Sequence, residues 1–101
     1  MESVKHPDGF RRSGYGVSGA GINASRAFAE FNRNKLNVTV NMATEEGRDV
    51  VRRLVAVSDV VMENFSRSVM ERWGMEYAGL RRVRPDLVIG TSVGALNGAW
   101  L

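Results

Sequence analysis

The stretch "DVVMENFSRSVMERWG", Asp59 to Gly74, sets an apolar run against an abrupt polar stop. Val60, Val61 and Met62 suit a buried strand, and Glu63, Asn64 and Phe65 then stand together before helical spacing begins. A hairpin would need a tight turn and a returning strand. Instead Val69, Met70 and Trp73 follow at helical spacing, with Ser66 or Ser68 as the cap and Gly74 as a left-handed stop. The strand therefore hands over to a helix.

Working outward, the same alternation continues on both sides. Val38 to Met42 is β-branched and apolar enough for a strand. Thr44 can cap a helix over Glu45–Val57, with Glu45 and Glu46 where the helix dipole favours them. The apolar positions Val50, Val51, Leu54 and Val55 recur at one, three and four residues and predict one buried face, with Arg48, Asp49, Arg52 and Arg53 elsewhere. A strand is expected over Asp59–Glu63. A helix over Glu76–Val83 packs Tyr77, Leu80 and Val83, and Pro85 prevents its continuation. A third strand opens at Leu87–Ile89 and runs into "GTSVGALNG". Strands alternating with helices imply parallel pairing and an α/β layer arrangement.

Upstream, Ser25 to Asn32 fits a short helix closed by "NRNK". Residues 1–24 carry Gly9, Gly14, Gly16, Gly19 and Gly21 without a sustained period, so they read as a glycine-rich loop or arm. The expected organisation is an arm over 1–24 followed by one α/β domain over 25–101.

Composition narrows the function classes. The chain has 101 residues, 44% of them hydrophobic, enough for one modest core. Without cysteine there is no disulfide, thiolate nucleophile or sulfur-ligated zinc, and the lone His6 has no second histidine for a metal site; no metal is expected. No run reaches the roughly 18 apolar residues of a membrane span, so the expectation is a cytoplasmic protein without membrane contact. The net charge of +3 comes from 14 Lys and Arg against 11 Asp and Glu, spread over several segments. Nucleic-acid binding calls for a concentrated basic face, so it is not expected; a polyanionic small ligand remains compatible.

In open parallel sheets ligands collect at the carboxyl ends of the strands. Glu63, Asn64 and Phe65 lie at such an end. An amide that donates and accepts, beside an aromatic face, suits a nucleotide or an acyl-pantetheine arm. Trp73 and Phe65 could stack on an adenine or close a core, and Arg72 could meet phosphate or solvent. "GYGVSG" at 14–19 satisfies GxGxxG but follows "GFRRS", which is no buried strand, and reads as loop. "GTSVG" at 90–94 follows a strand and resembles the nucleophile elbow of patatin-like acyl hydrolases, with Ser92 as its serine. No aspartate follows Ser92 to serve as partner. Asp8, Asp49, Asp59 and Asp86, the chain's four aspartates, read as solvated or capping residues.

The segment "FNRNKLNVTVNMATEEGRDVVRRLVAVSDVVMENFSRSVMERWGMEYAGLRRVRPDLV" resembles the family III CoA-transferases in the order and spacing of its motifs. The similar elements are "NRNK" before a strand, "EEGR" opening a helix, "DVVMENF", "MERWGMEY" and "LRRVRPDLV", covering Phe31 to Val88. The resemblance implies a partial Rossmann-like parallel sheet with flanking helices, in a homodimer that binds acyl-CoA and moves CoA between carboxylic acids. It implies covalent catalysis by an aspartate, expected to lie outside this chain, so that the 101 residues alone would be an inactive fragment. Racemisation of an acyl-CoA is the family's other branch. Position by position, Asn64 and Phe65 match residues lining the coenzyme A site, Arg72 a basic residue near its phosphates, and Val40 an apolar contact. Ser66 stands where many members have glycine, and Ala43 where some have lysine. The rival readings are a serine hydrolase using Ser92 and a non-catalytic CoA or nucleotide binder.

Overall fold

The computed structural model describes residues 1–11, 21 and 23–91. The chain divides into two compact units, Met1–Asn41 and Met42–Leu101.

In the first unit, the short helix α1 (Arg26–Phe31) forms where expected, with Ser25 accepting a hydrogen bond from the Phe28 amide and Asn32 closing it. Ser25 is buried and also donates to the Phe10 carbonyl, which ties α1 to a 3-10 turn over Gly9–Arg11. The segment 38–42 corrects the expected strand. Among the described residues it makes a single parallel bridge, Thr39 to Glu2, with the Glu2 amide donating to Val38 O at 3.2 Å and the Val40 amide to Glu2 O at 2.9 Å. The physical reason is the partner backbone. After Glu2 it curls, the Ser3 amide donating to His6 O and the His6 amide to Ser3 Oγ, so no further rung is available.

Glu2 anchors this unit. Its carboxylate accepts two bonds from Arg11 Nε and one from Arg11 Nη2, plus bonds from the Asp8 amide and Asn37 Nδ2. The Arg11 guanidinium foremost, with the Asp8 amide and Asn37, holds the carboxyl down at about 2 against the opposing effect of burial. Arg11 also lies over the Phe28 ring, 3.6 Å from its centroid. This tethering of residues 1–11 left no signature in the residue pattern.

The second unit follows the order helix α2 (Glu45–Ala56), strand β1 (Val60–Glu63), helices α3 (Arg67–Trp73) and α4 (Tyr77–Val83), and strand β2 (Val88–Thr91). Thr44 caps α2 by accepting from the Gly47 amide at 3.1 Å. The buried face of α2 is narrower than the periodicity implies: Gly47 and Val55 are buried and Val51 half-buried, while Val50 and Leu54 stay exposed. Spacing alone marks a broad stripe; the α4 helix packed against α2 decides how much of it is covered.

β1 and β2 pair in parallel, Val60 with Val88, Val61 with Ile89, Met62 with Gly90 and Glu63 with Thr91. The return from β1 to β2 needs a crossover, and α3 and α4 provide it. Between them Gly74 takes φ +64° and ψ +27°, the left-handed stop that its position predicts. At the amino pole, Arg84 ties the entry of both strands. It donates to Ser58 O and pairs with Asp59 at 2.9 Å and Asp86 at 3.2 Å. Met42, Val55, Met75, Leu80 and Leu87 form the core of this unit, with Leu87 at 0% exposure. The opposite face of the sheet, Val60, Met62 and Val88, stays exposed, Met62 at 67%.

Candidate functional site

β1 and β2 end in register, Glu63 beside Thr91, and the chain leaves β1 through Asn64 and Phe65. A cavity of about 560 Å³ opens at these tips, within the range of small-molecule sites. Glu63, Phe65, Ile89 and Thr91 line it from the sheet side. Arg67, Met70 and Glu71 line it from α3, and Met75, Glu76, Tyr77, Ala78 and Leu80 from the α3–α4 turn and α4.

The wall is chiefly apolar and aromatic. Among the described residues its guanidinium is that of Arg67, which pairs with Glu71 at 2.7 Å, and Glu76 pairs with Arg82 at 3.5 Å. A neutral, apolar group gains most in such a space by leaving water, whereas a phosphate would find no free cation among the described residues of its wall. Phe65 is 47% exposed and meets Trp73 edge-on, ring centroids 5.1 Å apart at 77°. That geometry satisfies the ring quadrupoles while leaving one face of Phe65 accessible.

The residues singled out by sequence sit as follows. Phe65 lines the cavity. Asn64 is exposed directly after β1, and Arg72 is exposed on α3 without an ion pair among the described residues; neither lines the cavity. Val40 is buried in the first unit. Trp73 is half-buried, a ring support rather than a free stacking surface. Met75 and Thr91 belong to the wall without having drawn notice. The signal for Thr91 was the parallel pairing itself, since it places the tips of neighbouring strands together. Ser92 and the "GYGVSG" glycines lie outside the described residues.

The aspartates are occupied locally. Asp8 accepts from the Phe10 amide at 2.8 Å, Asp49 faces Arg52 at 3.8 Å, and Asp59 and Asp86 share Arg84. None lines the 560 Å³ cavity. Among the described residues no three His, Cys, Asp or Glu side chains gather as a metal site, and no helix is long and apolar enough to cross a membrane.

A parallel α/β unit with a cavity at its strand tips has the arrangement in which open α/β sheets collect ligands. Comparison with known proteins narrows this. The model of CoA-transferase family III matches residues 1–97, and the chain belongs to that family. It is 34% identical over 89 residues to the succinyl-CoA–L-malate CoA-transferase alpha subunit of Chloroflexus aurantiacus, covering 85% of this chain and 20% of the relative. A probable CoA-transferase of Mycobacterium tuberculosis is 34% identical over 101 residues, 99% of this chain and 12% of its own length. A crystal structure of a CaiB/BaiF family protein from Brucella suis superposes with a TM-score of 0.78 at 35% identity, covering 89% of this chain and 24% of that one. The chain thus spans between 12% and 20% of the length of these curated relatives.

Proposed function

We propose that this chain supplies part of the coenzyme A site of a family III CoA-transferase, with Phe65 in the cavity as the principal contact and Asn64, exposed beside it at the β1 exit, as a second. The observation that carries the reading is Phe65. It emerges at the carboxyl end of a parallel strand and lines the apolar cavity there, in a chain that matches the family over nearly its whole length. Asn64 offers an amide to the coenzyme's polar groups. Arg72, exposed and without an ion pair among the described residues, is the cation assigned to phosphate.

The parent reaction in this reading moves CoA from an acyl-CoA to a free carboxylic acid. An aspartate carboxylate attacks the thioester carbonyl and releases CoA thiolate, leaving an acyl anhydride. The thiolate then attacks the aspartyl carbonyl of that anhydride, releasing the first acid and leaving an aspartyl-CoA thioester. Asp8, Asp49, Asp59 and Asp86 are bound up in local contacts and none lines the cavity, so the part proposed for this chain is binding. A homodimer and a cytoplasmic location accompany the reading.

Isothermal titration of the chain with CoA tests it. Saturable binding is expected, weakened about tenfold or more by Phe65→Ala and by Asn64→Ala combined with Arg72→Ala, with no thioester exchange when acyl-CoA and a free acid are mixed. Absence of saturable binding, or binding indifferent to these changes, would refute the assignment.

A further inference from the structure

We infer that Glu63 is a positioning residue: its carboxylate clasps the exits of the two strands and sets Phe65 at the mouth of the cavity. Glu63 ends β1 and stands in register with Thr91, which ends β2. One carboxylate oxygen accepts from the Thr91 hydroxyl. The other accepts from the Phe65 backbone amide at 2.7 Å. A single side chain thus joins the last rung of the ladder to the residue that leaves it.

Three observations make this more than a surface contact. Among the described residues the ladder's last pair is Glu63 with Thr91, and no strand-to-strand backbone bond among them orients residues 64 and 65. Phe65 is 47% exposed, so burial does not hold its ring; directional bonds and the Trp73 edge contact do. Glu63 also forms no ion pair among the described residues, although Arg67 lines the same cavity and is held by Glu71. A carboxylate at the mouth of a site for an anionic ligand is unfavourable by charge, so its contribution lies in the two bonds it accepts. The amino pole has its counterpart in Arg84, which joins Ser58, Asp59 and Asp86. A short parallel ladder is thereby pinned at both ends.

The chemistry separates geometry from charge. In Glu63→Gln the amide oxygen can still accept from the Phe65 amide, and the amide N–H can donate to the Thr91 hydroxyl, which accepts as readily as it donates. Glu63→Ala loses both bonds; Thr91→Val removes one without touching Glu63. The effect on coenzyme binding rests on the reading of Phe65 proposed above; the effect on the loop does not.

The test uses the full chain in a Trp100→Phe background, so that Trp73 is the sole tryptophan. Glu63→Ala is expected to raise amide exchange at Phe65 about tenfold and to shift Trp73 emission, as Phe65 leaves its edge contact. Thr91→Val should do so more weakly, and Glu63→Gln should restore wild-type values. CoA affinity should fall with Ala and return with Gln, or exceed wild type as a negative charge is removed. Unchanged exchange and emission in both Glu63→Ala and Thr91→Val overturn the clasp, as does a Gln variant that behaves like Ala. If the loop signals follow this order while the chain binds no CoA, the clasp stands and the coenzyme reading falls. Should Glu63→Ala fail to fold, Thr91→Val and Glu63→Gln still decide.

Discussion

Replacing Gly79 by alanine sets two physical effects of opposite sign against each other. Gly79 lies in the first turn of α4 and is buried. Helix propensity alone favours alanine there by about 1 kcal/mol. A Cβ at this position would stand 2.3 Å from the Gly74 carbonyl oxygen and 3.0 Å from its carbon. An ordinary carbon–oxygen contact is about 3.3 Å, so the helix or the turn must give way by about 1 Å. The obstructing atoms are backbone, in a turn already held by the Gly74 amide donating to Glu71 O and the Met75 amide to Met70 O. Overpacking of this kind costs about 3 kcal/mol at the upper end of its usual range. The net expectation is a loss of about 2 kcal/mol, a fall in Tm of about 8–16 °C for a domain of this size. Thermal unfolding followed by Trp73 fluorescence, with Trp100→Phe as background, reads the second unit directly. Cavity-wall residues Ala78 and Leu80 flank the substituted site, so Phe65→Ala-sensitive ligand binding should weaken in parallel. A Gly79→Ala chain as stable as the parent, or more so, would mean that helix propensity outweighs the contact with Gly74, the reverse of this expectation.

Leu87→Ala empties a fully buried position just before β2 and should cost about 2–5 kcal/mol, read by urea denaturation with the same fluorescence. Acidification should loosen the first unit. The folded-state pKa of Glu2 lies near 2 against an ordinary 4.5, so its contribution is complete above 4.5 and is lost as pH falls from there through 2. With its side chain 9% exposed, about 1–3 kcal/mol is at stake, and amide exchange at Val40, corrected for intrinsic rate, should accelerate over that window. Glu2→Gln should exchange faster throughout and lose this acid dependence.

Much of the local structure was legible because its signals act within a few residues. Thr44 before Glu45 and Glu46, Gly74 after Trp73 and Pro85 after Val83 mark helix ends through hydrogen bonds and backbone torsions of near neighbours. The alternation of strand and helix implied parallel pairing because a helical crossover carries the chain back to the end of the sheet where the first strand began, so that the next strand runs the same way. The segment 38–42 misled because β-branched composition measures fitness for a ladder and not the presence of a partner backbone.

The site was legible only to the point where the chain leaves β1. That Asn64 and Phe65 stand at a strand's carboxyl end follows from the order of elements along the chain. That Phe65 faces a cavity while Asn64 and Arg72 do not, that Met75 and Thr91 complete its wall, and that Glu63 reaches across to Thr91 depend on register and packing. The same holds for Gly79, whose missing Cβ matters only against Gly74, and for Arg84, which collects partners 25 and 26 residues away. Residue pattern alone accounts for the helices and the two paired strands of the second unit, the Thr44 cap and the Gly74 stop, because those depend on short-range torsions and local hydrogen bonds. The tertiary structure decided which side chains share the strand tips, because proximity there is created by the β1–β2 register and the packing of α3 and α4, which local pattern does not encode.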